Sequence, residues 1–314
     1  MKFNVIIVTK KTLIIFSTLL LLIGSGFLYL AKINFNSYYT DESIPIMAKP
    51  QGEQAIKKDL NGDGKEDVLY ITAKEEKYYV EALINKKTYF FNEKKTLKTL
   101  GNYYSHWPMT INIIDINRDR IPEIIIQSSQ ENTPIQHIFT WNNNEFLDIY
   151  CSTNNILGIL DSSNNKTPKL LSASLESSQS NIQQYLMKEK NLKNISYEKN
   201  SLPGLNSVIQ FIDLIEYPYE LSETPNIFAP NINSDELAIL WQLDKENFTY
   251  TFQDCFFRDD SWDSSNTLSS CTWTLNFKKA LKNSDKDFSQ ISFKICLNKI
   301  NNEFFISLID NFNK

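Results

Sequence analysis

Asp59-Leu60-Asn61-Gly62-Asp63-Gly64-Lys65-Glu66-Asp67 sets acids and an asparagine at alternate positions of a tight loop, then runs straight into Val68-Leu69-Tyr70-Ile71. The pattern returns 56 residues on as Asp115-Ile116-Asn117-Arg118-Asp119-Arg120-Ile121-Pro122-Glu123, followed by Ile124-Ile125-Ile126. A third, degraded copy starts 46 residues later, Asp161-Ser162-Ser163-Asn164-Asn165-Lys166-Thr167-Pro168-Lys169, before Leu170-Leu171. The flanks echo too, since Ile135-Gln136-His137-Ile138-Phe139 resembles Ile182-Gln183-Gln184-Tyr185-Leu186. A period near 50 residues with several strands per unit marks blade-like repeats. Propellers need about four blades or more to close, so three units predict an open or irregular stack of antiparallel β-sheets.

Outward from these loops, residues 51–203 read as short apolar runs separated by Asn, Asp, Gly and Lys clusters, with no helical period held for three turns. After Pro203-Gly204 the text changes. Val208, Phe211, Ile212 and Ile215 recur at helical spacing and Pro218 ends the run. Asn233 with Glu236 three residues on opens a second helix in a capping-box pattern, with Leu237, Leu240 and Trp241 as its apolar stripe. Four alternating strands follow: Phe248, Tyr250 and Phe252; Cys271, Trp273, Leu275 and Phe277; Ile291, Phe293, Ile295 and Leu297; Phe304, Ile306 and Leu308. The expected fold is mainly β, with blade-like antiparallel repeats over 51–203 and a small α+β domain over 204–314, two helices on a four-stranded antiparallel sheet.

The chain begins differently. Residues 12–31 are twenty in number and carry no charge, enough to cross a hydrocarbon core of about 30 Å. Lys2, Lys10 and Lys11 precede them, which places residues 1–11 in the cytoplasm and the bulk of the chain outside the cell membrane. A cleaved signal peptide is the competing reading, kept open by Gly24-Ser25-Gly26, although Phe27-Leu28-Tyr29-Leu30 prolongs the apolar run beyond it. Residues 32–50, with Pro45 and Pro50, form a polar stalk.

A net charge of −5 supplies no basic surface for phosphates, which argues against nucleic acid as a partner. Four cysteines, at Cys151, Cys255, Cys271 and Cys296, form no CxxC pair, and His106 and His137 are the only histidines, so a Cys/His metal cluster is not expected. Strand alternation sets Cys271 on the apolar face and Cys255 and Cys296 on the polar face, so a Cys255–Cys271 bond needs a bulge. Each histidine adjoins apolar residues and is read as a packed or surface residue.

The loops have their own chemistry. Alternate side chains of a tight loop converge on one point, and Ca²⁺ takes about six to eight oxygens. Asp59, Asn61, Asp63, the Lys65 carbonyl and Asp67 supply such a set in the first loop; Gly64 sits where the chain turns sharply. Asp115, Asn117, Asp119, the Ile121 carbonyl and Glu123 repeat it in the second, with Arg120 at the glycine position. The third keeps Asp161 but ends on Lys169, and no calcium is expected there. An EF-hand or dockerin loop needs a glutamate at position twelve and a helix after it; the residues there are Tyr70 and Ile126, inside strands. The nine-residue spacing ending on an acid before a strand instead resembles the calcium loops of FG-GAP or VCBS-type repeats of integrin-alpha-like propellers. That resemblance implies blade-like sheets, Ca²⁺ as the cofactor and a structural role for it.

No nucleophile elbow, HExxH or Gly-rich phosphate loop is present. Asp259, Asp260 and Asp263 beside Trp262 form an acidic aromatic turn that suits a sugar as well as it suits a solvated hairpin. Three readings follow. The first is a non-enzymatic binding or scaffold module for a surface protein or polysaccharide. The second is an extracytoplasmic hydrolase of wall polysaccharide, and the third an accessory subunit of a sensory or envelope complex.

Overall fold

The computed structural model describes residues 11, 44–45, 54–93, 96–177, 182–196, 202–218, 225–284 and 287–311. The expected anchor at 12–31 lies outside the described residues, as do the cytoplasmic tail apart from Lys11 and the stalk apart from Ile44–Pro45. Among the described residues no helix is long and apolar enough to cross a membrane. Residues 43–314 form one compact unit.

A two-residue strand, β1 (Ile44–Pro45), comes first, and three antiparallel meanders follow. The first is β2 (Gln54–Lys58), β3 (Asp67–Lys74), β4 (Lys77–Ile84) and β5 (Lys87–Phe90). The second is β6 (Thr110–Ile114), β7 (Glu123–Gln130), β8 (Thr133–Trp141) and β9 (Phe146–Ser152), with β1 on its free edge. The third is β10 (Ile156–Leu160), β11 (Lys169–Ala173), β12 (Gln183–Lys188) and β13 (Asn191–Asn194). Helices α1 (Leu205–Glu216) and α2 (Ser234–Trp241) precede four long strands, β14 (Phe248–Trp262), β15 (Leu268–Leu281), β16 (Phe288–Ile300) and β17 (Glu303–Asn311). The third meander does not end on its own: β10 pairs in parallel with β14, Ile156 opposite Cys255, giving one eight-stranded sheet in the order β13-β12-β11-β10-β14-β15-β16-β17. Strands from both sides of residue 203 therefore share one sheet.

Burial explains why each strand reads as it does. The first sheet packs on the second through Leu69, Ile71, Val80, Ile84, Ile111, Ile124 and Ile126. The opposite face of the second meets the eight-stranded sheet through Ile125, Ile138, Leu157, Ile159, Leu170 and Phe256. A middle layer buried on both sides has no polar face, and Ile124-Ile125-Ile126 is accordingly unbroken. The first sheet has one open face, and β3 alternates, leaving Tyr79 and Phe90 exposed on neighbouring strands. The far side of the eight-stranded sheet carries the helices, with Val208, Phe211, Ile212 and Ile215 in one core with Trp273, Leu275, Phe277, Phe293 and Ile295. Gly158 is required where β10 meets β14, because a Cβ there would stand 2.2 Å from the Phe257 ring.

Four local expectations are corrected. A register shift between Phe252 and Asp254 reverses the alternation of β14, so Cys255 joins the apolar face and is buried. A second shift beside Cys296 turns Leu308 outward and puts Ile309 in the core in its place. Trp241 is 49 % exposed and not part of the buried stripe of α2. The Asn233 side chain does cap α2, accepting from the Asp235 N–H at 3.1 Å, but Glu236 reaches the Ile309 N–H of β17 instead of closing a capping box. All four cysteines are free thiols.

Candidate metal centre

Each aspartate loop connects the first two strands of its meander: β2 to β3, β6 to β7, β10 to β11. The three share one backbone course. The fourth position has positive φ in every copy, at Gly62 (78°), Arg118 (61°) and Asn164 (47°). So has the sixth, at Gly64 (81°), Arg120 (73°) and Lys166 (64°). The leading aspartate holds that turn in each case, accepting the N–H five residues on: Gly64 to Asp59 at 2.7 Å, Arg120 to Asp115 at 2.8 Å, Lys166 to Asp161 at 2.7 Å. Only the first loop has glycine where the left-handed conformation favours it; the others impose it on side chains at a cost of about 1 kcal/mol.

The predicted ligands of the first loop lie along this turn. Asn61 Oδ1 accepts from the Asp63 N–H at 2.9 Å, and Asp63 Oδ1 from the Lys65 N–H at 2.9 Å. Asp67, buried at the start of β3, accepts the Leu60 N–H at 3.0 Å. The second loop repeats the bonds one for one. Asn117 Oδ1 accepts from Asp119 at 3.0 Å, Asp119 Oδ1 from Ile121 at 2.8 Å, and Glu123 Oε2 from Ile116 at 2.9 Å. Among the described residues no three His, Cys, Asp or Glu side chains stand close enough together to hold a metal ion as placed. The donors of each loop are nonetheless all oxygens, and a carboxylate oxygen that accepts one N–H keeps a lone pair for a cation. Such a set fits a hard divalent ion and not a thiophilic one.

The electrostatics run the same way. Burial raises the Asp67 carboxyl above its ordinary range, and the charges of Asp63 and Asp59 add to it. Burial, with Asp119 behind it, also raises Asp115. Glu123 is fully buried and is pushed up to about 8, first by desolvation, with Asp119 and Asp115 contributing. Asp63 is exposed and held low, first by the Asn85 side chain, whose Nδ2 donates at 3.1 Å.

The third loop is held by groups no local reading could find. Asp259 Oδ2 of β14 accepts the Asp161 N–H at 2.6 Å, and the Trp262 indole donates to the Asp161 carbonyl at 2.6 Å. Asp259, Asp260 and Trp262, expected in a turn, lie at the end of β14, with only Asp263 beyond it. Asp259 and Trp262 engage the third loop, and burial raises Asp259 to about 6. Arg118 Nη2 lies 3.6 Å from Asp161 Oδ2, joining the second loop to the third. The only sequence signal for it is its place opposite Gly62 in the aligned repeats.

Neither histidine is near these loops in a ligand role. His137 is fully buried, its Nδ1 3.1 Å from Asp148 Oδ2 and its Nε2 3.0 Å from the Thr99 carbonyl. His106 lines a cleft of about 580 Å³ with Glu75, Glu76, Tyr103 and Tyr104. No curated protein matches the chain. Residues 59–126, from the first aspartate loop through the second and into β7, match the FG-GAP-like repeat family.

Proposed function

We propose that the protein is a membrane-anchored, extracytoplasmic binding or scaffold module whose blade-like sheets are fastened by calcium in the first two aspartate loops. The observation that supports this is the bond-for-bond congruence of those loops, each ending on an acid that ties the loop back to its start. When bound, a divalent cation supplies the positive charge that lets Asp59, Asp63 and Asp67, or Asp115, Asp119 and Glu123, stay ionised side by side. The chain's part is to hold those oxygens along one turn and to seat the last of them at the head of β3 or β7. Extracellular sites of this kind bind at about 10⁻⁴ to 10⁻³ M, in keeping with an exterior location.

Calcium at roughly ten times that range should raise the melting temperature of the full-length protein, and Asp63→Ala should remove most of the rise. A rise untouched by the substitution would sink the loop assignment. The anchor reading predicts recovery in the membrane fraction; release of a chain starting near residue 27 would show a cleaved signal.

The hydrolase reading would look to the cleft between the β3–β4 turn and Tyr103–His106. Its two carboxylates, Glu75 and Glu76, are adjacent in one turn, and the other wall contributes tyrosines, Ser105 and His106. Glycoside cleavage needs acids on both sides of the bond, about 5 to 9 Å apart. Two adjacent acids on one wall suit binding better than hydrolysis at this cleft.

A further inference from the structure

We propose that Arg118 is the resident cation of the third aspartate loop, which frees that loop from any need for a metal ion. The inference rests on the reading of the first two loops as cation sites and concerns the copy in which no ion is expected.

The fourth loop position meets a neighbouring loop or turn in every copy, and in the first two copies that neighbour belongs to the next sheet. At Gly62 there is no room, since a Cβ would lie 2.9 Å from Ile121 Cγ1 and 3.1 Å from the Arg120 carbonyl of the second loop. At Asn164 the side chain meets Asn266 in the β14–β15 turn at 3.1 Å. At Arg118 it meets Asp161, which is only 2 % exposed. The position that is bare in the first loop therefore delivers a guanidinium in the second, to the leading aspartate of the third.

The third loop needs that charge. Its backbone course follows the other two, and Asp161 accepts the N–H groups of its turn just as Asp59 and Asp115 accept those of theirs. Its terminal acid is replaced by Lys169, which leaves an ion too few oxygens from this loop. Asp259 reaches in from β14 to accept the Asp161 N–H, which brings a second carboxylate to the same place. Two carboxylates brought together in a buried place stay charged at neutral pH more readily beside a positive partner. A guanidinium stays charged at any pH the protein meets and offers several donors, whereas the third loop cannot assemble a calcium shell.

Three measurements on the full-length protein decide it. Calorimetric titration of the natural chain with calcium should give no more than two equivalents; a third equivalent overturns the proposal. Arg118→Met should lower the melting temperature by about 5 °C in EDTA and in calcium alike, with Arg118→Lys recovering part of the loss. An unchanged melting temperature overturns it. The double variant Arg118→Gly/Lys169→Asp should bind one equivalent more than the natural chain and regain stability on adding calcium. A folded double variant without the extra equivalent overturns it, and if that variant does not fold the first two results decide. A natural chain that binds no calcium at all overturns the reading of the first two loops and this inference with it. Calcium binding with an unmoved Arg118→Met overturns this inference alone.

Discussion

The Trp107 indole donates to the Asp254 carboxylate at 2.5 Å, joining the connector between the first and second sheets to a central strand of the eight-stranded sheet. Asp254 is buried, and its other oxygen takes the Asn276 amide at 2.7 Å. Burial raises its carboxyl, opposed by these two bonds. Trp107→Phe would keep the ring packing and remove the donor. The expected cost is about 2 kcal/mol in urea denaturation, the penalty of an unpartnered buried acceptor. A loss within about 0.3 kcal/mol would mean the bond contributes nothing net.

Arg120 holds a left-handed backbone where the first loop has Gly64. Arg120→Gly should stabilise the protein by up to about 1 kcal/mol, as relief of backbone strain outweighs the added freedom of the unfolded chain. The same change should tighten calcium at the second loop if the reading above is right. Lower stability in the variant would show that the Arg120 side chain makes a contact worth more than the strain.

Asp259 makes stability depend on pH. Its carboxyl titrates near 6 when folded against an ordinary 3.8, so the folded state holds the proton more tightly than the unfolded chain does. This contribution is fully favourable below about pH 4 and is lost as the pH rises through 6, by at most about 3 kcal/mol. Asp259→Asn keeps an acceptor for the Asp161 N–H and removes the titration. Unfolding free energies at pH 4.5 and 7.5 should therefore differ less in the variant than in the natural chain. An unchanged difference would assign the pH dependence to other groups.

Gly158 lies under the Phe257 ring, and Gly158→Ala would force the parallel β10–β14 pair apart. The expected destabilisation is about 2 to 3 kcal/mol, a severe overpacking case. Because this pair carries the third meander into the last four strands, hydrogen exchange should quicken on both sides of it. Protection unchanged in β14 would show that the junction yields without opening.

The chain's periodicities determined much by themselves. Residues that repeat as Asp-x-Asn-x-Asp before a strand prescribe the same turn wherever they occur, because the bonds that hold it run between near neighbours: Asp59 to Gly64, Asp115 to Arg120. The α1 face and the presence of four strands beyond residue 248 were equally readable, since a stripe of apolar residues must find a core. Two register shifts changed which residues of β14 and β17 face it. What only the tertiary structure decided depends on contacts between distant segments. The bulge that turns Cys255 inward, the pairing of Ile156 with Cys255, the reach of Asp259 to Asp161 and the bridge from Arg118 to Asp161 leave no local trace. A charge in one loop takes its meaning from the loop stacked beside it, and stacking is set by burial of whole sheets.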